Sequence, residues 1–179
     1  MALTCKLSNN ILRTTSCGYS LPEVTDIFVA NYSEDIAYDK TDVVGGCGEE
    51  ITGISGATFY HIEPAKNSTT FEDALVVEDS GNKYRTHTLT FNISGTYDAC
   101  MHQNLDDLAL GRFVVVVKTA EGKYLILGRI TGLEAETATL SGGGDTNGLQ
   151  IVLSANTTES AIPLSDAAVE DVLDTVPED

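Results

Sequence analysis

Three histidines, four cysteines and a few paired acids are the residues whose types carry chemistry, so their spacing comes first. His61, His87 and His102 fall in no HExxH, and the chain holds no GxSxG, P-loop or GxGxxG pattern. His87 belongs to an alternating stretch and His102 to a helical one, so local spacing forces no two together, and each reads as structural. Cys100 and His102 are two apart, and such residues point in different directions on a helix, which leaves Cys100 a core thiol rather than a nucleophile. Cys5, Cys17, Cys47 and Cys100 form no CxxC pair and have no His at zinc-finger spacing. They read as buried free thiols, while their even count leaves disulfides open. Gly142-Gly143-Gly144 lacks the following Lys of a phosphate cradle and reads as a flexible loop. Glu49-Glu50 and Asp106-Asp107 lack the alternating ligands of a calcium loop and read as solvated surface. The expectation is a chain with no catalytic residue, no metal and no cofactor, and so not an enzyme.

Charge narrows the partners. Ten Lys and Arg against 27 Asp and Glu give a net charge of -17, which disfavours any nucleic-acid binding that works by neutralising phosphates. The imbalance is local: from Thr131 to Asp179 there are ten acids and no Lys or Arg, so the other 130 residues carry only -7. No apolar run approaches the roughly 18 residues needed to span a bilayer, and MALTCKLSNNILRTT is no signal peptide. A soluble protein made in a cytoplasm, without a membrane partner, is expected.

The elements that would position these residues are mostly strands. Residues 1 to 23 show no sustained period and read as an arm. VTDIFVA (24 to 30) is the first convincing strand; Ser33 to Gly56 is a Gly-rich loop region with one short strand near Ile51. From Ala57 to Ile93 the pattern is strand material on either side of the turn Asp79-Ser80-Gly81-Asn82. In its second arm Leu89, Phe91 and Ile93 share one face, and Thr86, Thr88, Thr90 and Asn92 the other. Tyr97, Met101, Leu105 and Leu108 have helical spacing, with Ser94 or Thr96 as cap and Gly111 as stop. FVVVVK (113 to 118) and KYLILGRI (123 to 130) make another hairpin. Residues 133 to 140 and 148 to 155 make a last strand pair. Ser165 to Val176 reads equally as a short acidic helix capped by Ser165 or as a frayed tail.

With 42% hydrophobic residues in 179, the chain can bury one real core. The expected fold is mainly β, a two-sheet β-sandwich or barrel of about 7–9 strands with one flanking α-helix at about 96–109. The expected division is an N-terminal arm at 1–23, a single β-sandwich domain at 24–163 and an acidic C-terminal tail at 164–179.

The order of features from Phe59 to Pro163 resembles the tail-tube and related virion structural proteins of phages infecting gut and marine Bacteroidetes. The likeness lies in FYHIEPAKNSTTFEDAL, then SGNKYRTHTLTFNI, then a helix ending in LALGRF, then VVVVKTAEGKYLILGRITGLEAETAT, a Gly-rich loop and NGLQIVLSANTTESAIPL. It covers about 105 residues; the arm before Asp26 and the tail after Leu164 lie outside it. What it implies is a sandwich that assembles with copies of itself into stacked rings, usually hexameric, whose strands continue into a β-barrel around a channel. Other phage tail proteins would be its neighbours, and the virion tail, assembled in the host cytoplasm, its location. DNA would pass without specific binding, which suits a wall of carboxylates and neutral Thr that releases no counterions. The candidate lumen or assembly-surface residues are Glu72, Asp73, Glu78, Asp79, Glu134 and Glu136. The alternatives are another virion component, such as a neck, tail-terminator or capsid-decoration protein, and then a non-phage β-sandwich binding module.

Overall fold

A computed structural model describes residues 23–42, 48–94, 99–142 and 148–177. Along it run β1 (Val24–Asn31), β2 (Ala37–Asp42), β3 (Glu49–Ser55), β4 (Phe59–Ile62), β5 (Thr70–Val77), β6 (Lys83–Ile93), α1 (Ala99–Leu110), β7 (Arg112–Thr119), β8 (Tyr124–Leu127), β9 (Leu133–Ser141), β10 (Gly148–Thr157), β11 (Ile162–Pro163) and α2 (Asp166–Asp174). The protein is mainly β, as its alternating and β-branched stretches predict. Nine strands form one antiparallel sheet, and β2 pairs with β3 in a hairpin of its own.

The valine run sits at the branch point of the sheet. β7 pairs along its length with β1, which pairs with β4; its other edge meets β8 and, through Arg112 and Phe113 alone, β9. From β9 the sheet continues through β10 and β6 to β5. The two halves fold over one another, because Ile27 and Val29 of β1 pack in one cluster with Leu89 and Phe91 of β6 and Ile151 and Leu153 of β10. Leu105 and Leu108 of α1 add to this inner core.

A continuous apolar run is buried on both faces, and β7 follows that rule. Its Phe113, Val115 and Val117 belong to the inner core. Val114 and Val116 face outward with Phe28 and Ala30 of β1 into a second cluster, closed by Ile36, Ile51 and Ile54 from the β2–β3 hairpin and by Ala168 and Val172 of α2. Among the described residues the outer cover thus lies over β1 and β7, and none lies over the face from β9 to β5.

One element goes beyond the sequence expectation, and another decides between its two readings. Ser33 to Gly56 holds a two-stranded hairpin rather than a loop with one strand. Of the two readings of the acidic C-terminal segment, helix or frayed tail, the structure has the helix, and it is packed: Ser165 accepts a hydrogen bond from the Ala168 N–H as N-cap, and the Asp171 carboxylate accepts one from the Ile54 N–H at 2.9 Å. Ala168 and Val172, one turn apart, are both fully buried. Cys5, Cys17, Cys47, Tyr97 and the side chains of Cys100 and Met101 lie outside the described residues. Val172→Ala is expected to lower unfolding free energy by about 2 kcal/mol, the loss of buried methyl groups plus a cavity. Urea denaturation measures it, and a solvated tail would give no change.

Candidate functional site

Strand register puts the uncovered outer face together row by row. Glu72, Thr88, Ser154 and Glu134 are successive cross-strand partners on β5, β6, β10 and β9. The next row is Thr70, Thr90, Val152 and Thr137, and the next Asn92, Gln150 and Thr139. On the other side of the first row, the Thr86 hydroxyl donates to Asn156 Oδ1 at 2.9 Å. These residues are half-buried or exposed. From β9 to β5 the face carries hydroxyls, amides and carboxylates and no Lys or Arg; Arg112, at its border, is held by Glu134 at 2.7 Å.

The six acids expected on an assembly surface divide accordingly. Glu72 and Glu134 stand on the open face, and Glu136 is exposed at a register shift of β9. Glu78 and Asp79 are exposed at the β5–β6 turn, where Glu78 accepts hydrogen bonds from Ser80 and Asn82. Asp73 has the opposite parity and points inward. Its Oδ1 accepts from Arg85 Nε, and its Oδ2 accepts from the Ala161 N–H at 2.9 Å. Burial works against the ionised Asp73, but the hydrogen bonds from Arg85 and Ala161 and the charges of His87 and Arg85 outweigh it, so its pKa lies below the usual carboxylate value.

Asp73 belongs to a polar cluster that spacing did not single out. His87, 1% exposed, accepts a hydrogen bond at Nδ1 from the Gly128 N–H at 3.2 Å. Arg129 grips both oxygens of Glu159, with Nε to Oε1 at 2.9 Å, and lies 5.3 Å over the Tyr38 ring. Burial pushes the Tyr38 phenol up to about 12. Gly128 and Gly132 shape the turn that carries Arg129: both have positive φ, and a Cβ on Gly128 would meet the Leu133 side chain at 2.9 Å. The available signal was parity, since Arg85 and His87 alternate in step with the core residues Leu89 and Phe91.

A shallow groove of about 460 Å³ opens beside the end of α2, lined by Asp26, Phe28, His61, Lys118, Tyr124, Leu173, Val176 and Pro177. Asp26 accepts from Thr25 at 2.9 Å, meets His61 Nε2 at 2.9 Å and Lys118 Nζ at 3.2 Å, and His61 stacks on Phe28. Burial opposes the Asp26 charge, yet these bonds and the Lys118 charge hold its pKa below the usual value. Asp26 and His61 here stand like a base and its orienting acid, but the Thr25 hydroxyl bonds Asp26 rather than His61 and so is not the group that His61 would activate. His102 is exposed and lies 3.5 Å from Asp106 one helical turn away, and Glu49 pairs with Lys40 at 3.0 Å. Among the described residues no group of three His, Cys, Asp or Glu could hold a metal ion.

No helix among the described residues is long and apolar enough to cross a membrane. Neither a scan against protein-family models nor a search of curated proteins finds a match to this chain.

Removing the Asp73 carboxylate leaves Arg85 Nε and the Ala161 N–H without their acceptor, so Asp73→Ala is expected to cost roughly 2–3 kcal/mol, while Glu72→Ala stays within about 0.5 kcal/mol. The Asp73 contribution is present above the unfolded pKa of about 3.9 and is lost as pH falls through the lower folded value. Paired urea titrations at neutral and acid pH read both effects.

Proposed function

We propose that the chain is a virion structural protein, a phage tail-tube subunit that assembles with itself into stacked hexameric rings around a channel for DNA. The observation that carries this reading is the open four-stranded face. A face of Thr, Ser, Asn, Gln and Val152 with Glu72 and Glu134, and without a cation from β9 to β5, offers a polyanion neither counterion release nor a salt bridge. In a passage that DNA must traverse without sticking, that composition is the requirement.

Free edges supply the means of assembly. Among the described residues the main path through the sheet runs from the two-residue β11 to β5, which pairs only with β6, and β4, off that path, pairs only with β1. β5 carries no proline and leaves Leu75 58% and Val77 56% exposed. An edge with unpaired backbone groups and apolar side chains is a template for another strand, and a ring satisfies such edges head to tail.

The purified chain is expected to form rings or open-ended stacks whose native mass rises in steps with concentration, seen together with their shape by negative-stain microscopy. Val77→Lys, which places a charge at the edge, is expected to leave the monomer folded and to abolish the larger species. A monomer at every concentration would contradict the reading.

A further inference from the structure

His87 is more deeply buried than any other titratable side chain among the described residues, and the proposed assembly gives it no task. Because Nδ1 accepts from the Gly128 N–H, the neutral ring carries its hydrogen on Nε2. Nε2 makes no hydrogen bond of normal geometry and stands 3.5 Å from Asp73 Oδ1. The charged groups facing the ring are Asp73 from β5, Arg85 from β6 itself and Glu159 from the segment between β10 and β11; Arg129, after β8, is bound to Glu159.

A second proton has only Nδ1 to occupy. The imidazolium is a donor at both nitrogens, so the Gly128 N–H would then face another N–H across the same 3.2 Å. That bond becomes a repulsion, while the charge draws Nε2 toward Asp73. The ring is pushed from the turn at Gly128 and pulled toward β5.

We propose that His87 is a proton-operated latch between β6 and the Gly128–Gly132 turn, closed when the ring is neutral and open when it is protonated. The turn carries Arg129, which holds Glu159 and lies over Tyr38, so opening also loosens the segment after β10 and the contact with the β2–β3 hairpin. Burial and the Arg85 charge disfavour the charged ring, and although the Asp73 and Glu159 carboxylates and the Glu159 backbone oppose them, the balance lies below the ordinary imidazole value. The latch therefore stays shut at neutral pH and opens only as the pH falls below the ordinary imidazole value.

Amide hydrogen exchange at Gly128, corrected for intrinsic rates, tests this from about pH 7.5 to about pH 4.5. In the native sequence, protection is expected to fall at least roughly tenfold, the worth of one buried hydrogen bond, in step with the His87 ring signals in NMR. His87→Asn keeps an acceptor for Gly128 without a titrating group and is expected to show no such step. Three results each overturn the proposal: a ring that stays neutral throughout, a ring that titrates while Gly128 protection holds, or the same step in His87→Asn. If that variant does not fold, the native titration alone decides. None of these readings depends on whether the chain forms rings.

Discussion

The double burial of β7 is the constraint on which the rest of the molecule depends. Phe113, Val115 and Val117 need an inner partner layer, which β6 and β10 supply, while Val114 and Val116 need an outer one, which the β2–β3 hairpin and α2 supply. A sheet with one solvated face would require neither hairpin nor helix. Because the outer cover stops where β9 leaves β7 after two paired residues, the strands beyond it keep a polar outer face. The open face and the covered face are therefore consequences of one strand and the point at which its neighbours diverge.

Much of this was legible in local patterns. The hairpin around Asp79-Ser80-Gly81-Asn82, the hairpin of FVVVVK and KYLILGRI, the β9–β10 pair, the strand at 24 to 30 and the helix ended by Gly111 all follow from alternation, turn chemistry and helical spacing. What local pattern did not resolve has a common cause. β2 (AYDKTD) is polar and mostly exposed, and its strand conformation is fixed by pairing with β3. α2 is short, and its commitment rests on Ala168 and Val172 finding the outer face of β7, a contact more than fifty residues away in the chain.

Charge shows the same dependence on distance. The stretch after Ile130 has no base of its own, yet Glu134 is held by Arg112, Glu159 by Arg129 and Asp171 by a backbone N–H of β3. Acidity counted along the sequence overstates the free carboxylates there. Asp73 and Glu72, neighbours in sequence, take opposite roles because strand parity sends one carboxylate to Arg85 and the other to the open face. Parity was also the sign that Arg85 and His87 belong inside, although it could not name Gly128 or Ala161 as their partners.

The proposed role turns on which surface meets the channel. A three-dimensional reconstruction of the assembled protein by electron cryomicroscopy tests it most directly. The account predicts a continuous axial channel with Glu72, Thr88, Ser154 and Glu134 directed toward its centre, and the surface of the β2–β3 hairpin and α2 outside. An assembly without a channel, or a channel lined by α2 while the four-stranded face looks outward, would contradict it.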